Sequence, residues 1–259
     1  MTGSAPSSAR LHEVTAVPWW AGRPRPVVAA AALVGAPVLV TVGIGLVGAA
    51  AGDGSDASQL RWRLLAVLVV AAAALLVVAR AHAWERTGAA GPASWRRPGL
   101  LAVPALVALA PLVTGVDLPG TGTLAVLLAG YVATGVFEEI WHRGVVLDTL
   151  RSLGLRRSAV IGGALFAVSH LANIAFGQSP AVSLAQAVGA FCFGVGFSVL
   201  RWRTHAIWLL AGVHAVGDLM FKITNLHGGA LWGFLVGHDI AMLAWGLWCL
   251  RGAADEVSA

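Results

Sequence analysis

Charged side chains are what this chain has least of. Asp, Glu, Lys and Arg make up 11% of its 259 residues, and Lys222 is its only lysine. A soluble domain carries about 25% charge. The deficit excludes an ordinary water-soluble fold, and the 58% hydrophobic content and mean hydropathy of +0.80 show what replaces it. Cysteine is nearly missing too. Cys192 and Cys249 both stand inside apolar runs, with no CxxC pair and no disulfide framework, so they read as small buried hydrophobes. HExxH is absent, which excludes a zincin. Ser198 follows Gly196-Phe197 but lacks the second glycine of a nucleophile elbow. There is no long-period repeat and no soluble domain. The opening residues hold no charged stretch running into a short apolar core, so no cleaved signal peptide is read there. The net charge of +5 comes without basic runs interleaved with aromatics, which argues against nucleic acid as a partner. The expected partner is the lipid bilayer.

What is present is a series of apolar runs of membrane-spanning length. A span needs roughly 20 residues, so a chain of this size suits about eight. The predicted spans are roughly 27–51, 64–79, 100–116, 124–138, 159–176, 181–200, 206–221 and 230–250. The fourth is expected to continue helically to about Leu150. The third carries Pro104 and Pro111 and is expected to be kinked. The fold class is all-α, a polytopic membrane helix bundle. Residues 1–26 read as a cytoplasmic tail, with Trp19 and Trp20 suited to the membrane interface. Residues 27–121 hold spans one to three. Residues 122–222 hold spans four to seven. Residues 223–259 hold the last span and a short tail with Asp255 and Glu256.

Arginines cluster in alternate connectors: the first tail (Arg10, Arg23, Arg25), residues 80–97, residues 143–157, and Arg201 with Arg203. Alternation of this kind is the positive-inside pattern, and it predicts both termini in the cytoplasm. Arg61 and Arg63 fall on the wrong side of that pattern. The Arg-, Ala-, Gly- and Val-rich usage suggests a GC-rich bacterial genome, hence a bacterial plasma membrane.

Against this apolar background a few ionisable residues stand inside the spans. Glu138 and Glu139 end the fourth run, His170 lies in the fifth, and His214 and Asp218 lie four apart on one face of the seventh. At 1.5 Å rise per residue, His170 and His214 fall about 16 and 12 Å inside the basic-side boundary, and Glu138 about 7 Å or more. Charge at that depth is costly, about 2.5–3.5 kcal/mol at mid-bilayer on insertion scales, and marks function by default. Glu139 and Arg143 are spaced for an i,i+4 ion pair that helps to hold Glu138. His142 is expected to face the headgroups. Asn173, three residues past His170, is placed to line the same cavity. His238 and Asp239 read as an accessory pair nearer the outer half of the eighth span. The chemistry suits amide hydrolysis, which needs a base for water, a donor for the oxyanion and an acid for the leaving amine.

Glu138-Glu139-x-x-x-Arg143, Phe166-x-x-x-His170 and His214-x-x-x-Asp218, in this order, resemble the motifs of the intramembrane CAAX-processing and bacteriocin-processing peptidases, the CPBP or Abi family. The resemblance covers about residues 124–220. It implies a membrane endopeptidase acting on a peptide or membrane-protein substrate, through a site opening to the cytoplasm. Glu138 would be its essential glutamate, with Glu139 and Arg143 beside it. His170 would activate water, and His214 with residue 218 would stabilise the oxyanion. Eukaryotic relatives have asparagine at the last position. Asp218, when ionised, accepts hydrogen bonds and cannot donate them, so it would orient His214 or ligate a metal. The metal question stays open: His170, His214 and Asp218 are the candidate ligands for Zn2+ or another divalent ion. Two other readings of the same residues are an inactive bacteriocin-immunity scaffold and a proton-coupled carrier. The carrier would show internal repeats with paired broken helices, and none is visible.

Overall fold

The computed structural model describes residues 17–254. Arg10, Asp255 and Glu256, and with them most of the first tail and the last few residues, lie outside the described residues. Every long apolar run is helical, as expected. Helix α1 is Pro26–Ala51 and α2 is Asp56–Arg80. A short α3, Trp84–Thr87, ends at Gly88, whose φ of +78° makes the left-handed turn that a side chain would resist. Residues Pro98–Thr114 form an interrupted helix with α4, Ala102–Leu109, flanked by 3₁₀ turns beginning at Pro98 and Ala110. The prolines break the ladder, as their spacing predicts.

Helix α5 is Thr121–Glu138. Its continuation is not regular: Glu139–Val146 is a π-helix, followed by one α-turn, α6, Leu147–Thr149. Helix α7, Leu155–Ser169, tightens into a 3₁₀ turn over His170–Phe176. The bundle is completed by α8, Pro180–Thr204, α9, Ile207–Ile223, and α10, Gly228–Ala254. Among the described residues, six helical stretches are long and apolar enough to cross a membrane. Pro98–Thr114 and α9 are shorter apolar segments beside them. The protein is a polytopic helical membrane bundle.

Small residues set the closest helix approaches, as expected where lipid supplies no hydrophobic driving force. A Cβ on Gly135 of α5 would collide with the backbone oxygen of Ala211 on α9. A Cβ on Gly194 of α8 would lie 2.9 Å from Gly163 of α7. Gly196 and Gly246 make the same kind of contact between α8 and α10.

Two ends of the bundle differ. At the end holding the start of α1, the arginine-rich connectors form a solid slab. Trp20 is fully buried, not at a lipid interface, and donates its indole N–H to Asp148 Oδ2 at 3.0 Å. Asp148 also takes Arg86 Nε at 2.6 Å. Arg201, 3% exposed, donates from Nε to the carbonyl of Thr87 and from an Nη to that of Arg86, both at 2.8 Å. At the opposite end the loops are thin. Val116 and Thr224 pair antiparallel there, and Ser55 caps α2 through the N–H of Ser58. Helix α2 begins eight residues before the apolar run that predicted it, because Ser55 and Asp56 supply a cap and a first-turn acid. Arg61 and Arg63 therefore lie within the helix. Arg63 turns inward, donating to the carbonyl of Phe176 at 3.2 Å.

Candidate active site

The π-helical turn begins where the chemistry does. Extra-wide turns of this kind are frequent at functional sites. Here the two adjacent carboxylates of Glu138 and Glu139 both reach one ring, that of His214 on α9. His214 Nδ1 lies 2.8 Å from Glu139 Oε1, and His214 Nε2 lies 3.4 Å from Glu138 Oε2. A carboxylate oxygen only accepts, so Nδ1 carries the proton in the shorter contact. Asp218 Oδ2, one turn on along α9, is 3.7 Å from the same Nε2.

Glu139 is completely buried, and so nearly is Arg143, whose Nη1 is 3.3 Å from Glu139 Oε1. Neither Nη makes a hydrogen bond of good geometry, but the guanidinium lies over the Phe166 ring at 3.9 Å from the centroid. That face supplies the electron density a desolvated cation needs. The i,i+4 pair thus forms as its spacing predicts, with a role the spacing does not reveal: it anchors the imidazole of His214 more directly than it anchors Glu138.

Phe166 sits among the other rings as well. His142, His170 and His214 all meet it edge-on, at centroid distances of 4.9, 4.6 and 6.5 Å. His142 is buried against Phe137 and Phe166, and does not face the headgroups. The widened turn rotates it inward, which a regular helix reading misses. His170 donates Nδ1–H to the carbonyl of Phe166 at 2.9 Å, because a carbonyl oxygen accepts only. In the neutral ring this leaves Nε2 as an acceptor. The FxxxH spacing therefore has a local meaning: residue i fixes the tautomer of residue i+4.

These groups converge on one cavity of about 1140 Å³, lined by Glu138, His142, His170, His214 and Asp218 among apolar walls. Asn173 lines it and donates to Gln186 at 2.8 Å, and Gln178 donates to the same oxygen at 2.9 Å. His238 and Asp239 form the expected accessory pair on α10. They line the cavity too, 3.3 Å apart, with His238 stacked on Phe193 next to His214. Ser198 is buried and donates to Gly194, a backbone role. Glu138 is 17% exposed, toward the cavity and not toward lipid.

Toward a metal the candidate ligands differ. His170 Nδ1 donates to a carbonyl, as the second nitrogen of a ligating histidine commonly does, and its Nε2 is left free, whereas both nitrogens of His214 face carboxylates. Among the described residues no three His, Cys, Asp or Glu groups converge where an ion would be held.

Fold and site together define a multi-pass membrane protein with an acid–imidazole cluster sealed inside its helices. Residues 120–220 match the family model of Rce1-like type II CAAX prenyl endopeptidases, which bears out the resemblance carried by the three motifs. The match supports a CAAX-type membrane protease at family level. No curated protein matches the chain.

Proposed function

We propose that the protein is an intramembrane endopeptidase that hydrolyses a peptide bond with Glu138 as general base. The observation that carries the reading is the grip of Glu138 and Glu139 on opposite nitrogens of His214, at the closed end of a cavity. Glu139 holds Nδ1–H and so aims Nε2 into the cavity, where a proton shared with Glu138 is placed to meet an oxyanion. His170 Nε2 and the Glu138 carboxylate hold the attacking water between them. Glu138 takes a proton from that water as the C–O bond forms, and His214 Nε2–H stabilises the negative oxygen. As the C–N bond breaks, the proton on Glu138 passes to the leaving amine. Asp218, half-exposed and 3.7 Å from Nε2, helps to orient the His214 ring. A burial-shielded site strengthens each of these interactions.

No step runs through a metal in this reading. Chelation with a membrane-permeable agent is expected to leave peptide cleavage in detergent unchanged, and metal analysis of active protein is expected to find no stoichiometric ion. Glu138→Gln and His170→Ala are expected to lower kcat/KM at least about 10³-fold, as loss of a general base does, with thermal stability retained. If either variant keeps full activity, the assignment of that residue fails.

The membrane is assigned as a bacterial plasma membrane from composition. A peptide-maturation or immunity role suits such a host better than a prenylated substrate.

A further inference from the structure

Two ionisable residues on the cavity wall take no part in the chemistry proposed above. His238 and Asp239 stand inside α10, where charge is costly and marks function by default. The other α10 residues that line the cavity are Leu231, Trp232, Leu235 and Val236, none of them ionisable. The family match ends at residue 220, before α10 begins, so the likeness assigns the pair nothing. A role as bundle cement would show as a hydrogen bond between helices. Among the described residues the pair's one hydrogen bond runs between the two neighbours themselves, from His238 Nδ1–H to Asp239 Oδ1 at 3.3 Å.

That bond fixes a tautomer. A carboxylate oxygen only accepts, so Nδ1 carries the proton and Nε2 of the neutral ring is an acceptor. Among the described residues Nε2 has no polar partner. The ring is held from two sides. Phe193 stacks on it with centroids 5.8 Å apart and planes at 17°, and Phe221 meets it edge-on at 5.8 Å. Phe193 also lies 4.7 Å from His214, centroid to centroid, so one side chain spaces both imidazoles. Two glycines clear the surroundings. A Cβ on Gly189 of α8 would collide with the Asp239 carboxylate, and a Cβ on Gly217 of α9 would lie 3.7 Å from His238 Nε2. Gly217 has no side chain to cover that nitrogen.

Gly217 is three residues past His214 on the same helical face, about 4.5 Å along α9 at the helical rise. An extended peptide advances about 3.3 Å per residue. Nε2 therefore faces a chain position one or two residues from a bond held at His214. A peptide that enters an apolar cavity brings backbone N–H groups that lose water and need acceptors. The side-chain oxygen of Gln186 already takes two donors, from Asn173 and Gln178. We infer that His238 Nε2, its tautomer set by Asp239, is a substrate-binding group that accepts a backbone N–H of the peptide beside the scissile bond. This rests on the proposed peptidase reading for the identity of the ligand.

The test uses the full chain in detergent, carrying Glu138→Gln so that peptide binds without turnover. The probe is a fluorescein-labelled random decapeptide pool, followed by fluorescence anisotropy. His238→Phe keeps the ring contacts and loses the acceptor, whereas His238→Gln loses the ring and keeps an acceptor oxygen. His238→Phe is expected to weaken binding at least about five-fold, as loss of one buried hydrogen bond does, and His238→Gln less than about two-fold. The reverse order would reveal a packing role and overturn the inference, as would equal binding by all three proteins. A second arm restores Glu138 and uses a peptide from the pool that the wild type cleaves. There His238→Phe is expected to raise KM and to leave kcat within about two-fold, the signature of lost uniform binding. Replacing the N–H one or two residues from the cleaved bond by an ester oxygen is expected to raise KM in the wild type and not further in His238→Phe. Additive losses overturn the inference. If the pool binds as expected but the wild type cleaves nothing, the peptidase reading fails and the binding site stands. If the wild type cleaves and His238→Phe changes nothing, the binding site fails alone. Absence of saturable binding from the outset removes both.

Discussion

At the residue scale the least expendable group outside the reacting atoms is Arg143. It pairs with Glu139 in a fully buried setting, beside the Nδ1–H of His214, and it rests on Phe166. Removing one partner of a buried pair leaves an uncompensated charge, which costs about 3–5 kcal/mol. Arg143→Met is therefore expected to lower the detergent melting temperature sharply. The double variant Glu139→Gln/Arg143→Met is expected to regain much of that stability while staying inactive, because His214 has lost its anchor. Equal melting temperatures for the wild type and Arg143→Met would contradict this. A second residue-scale effect lies outside the spans. His205, between α8 and α9, is half-buried, and burial first, then Arg201, Arg96 and Arg151, push its pKa down from 6.5 to about 4. A depressed folded-state pKa means the unfolded chain binds the proton more readily. The stability contributed by neutral His205 is complete above about pH 6.5 and is lost as pH falls toward 4. His205→Asn, which tolerates the observed φ of +52°, is expected to flatten the acid limb of a stability–pH profile between those values.

At the scale of elements, the contact between α5 and α9 decides whether Glu138 meets His214. Gly135 lets the α5 backbone approach Ala211 so closely that no side chain fits, three residues before Glu138 and one turn from His214. Gly135→Leu is expected to push the helices apart, cost about 1–3 kcal/mol of stability as overpacking does, and lower kcat more than it raises KM. A variant with unchanged kcat would show that the crossing does not position the pair. Elements are also where the sequence was most and least legible. Helix existence was readable at every long apolar run, because a single unbroken apolar segment of that length satisfies its own backbone groups in lipid only as a helix. Helix irregularity was not. Nothing in Glu139 to Val146 signals a π-turn, although distant partners meet it: Gly144 packs close to Thr87, and Trp141 donates to the carbonyl of Leu33 at 3.0 Å. The same stretch holds the two surprises at the site, the inward turn of His142 and the reach of Glu139 to His214. Glu138, His170, His214 and Asp218 were legible because charge in an apolar run is conspicuous. Asp148 and Trp20 were not, because each looks ordinary until the chain folds a distant partner over it.

At the scale of the whole molecule, depth along the chain predicted shared depth of the reactive groups but not which end of the bundle stays hollow. That depends on how the connectors pack. The arginine-rich connectors carry aromatic and backbone partners for their charges, such as Arg201 on the carbonyls of Thr87 and Arg86 and Arg151 over the Trp202 ring, so they condense into a slab. The opposite loops are held at their edges, by the Val116–Thr224 pairing, Arg63 on the carbonyl of Phe176 and Asn225 on that of Thr114, and the interior stays open there.

That slab has a physiological consequence. A hydrolase needs water inside the bilayer, yet a continuous wet path through the bundle would short-circuit the ion gradients that energise the cell. With Trp20, Asp148 and Arg201 filling the far side of the reaction chamber, it is a blind alcove and not a channel, and the host can carry many copies while its membrane stays proton-tight.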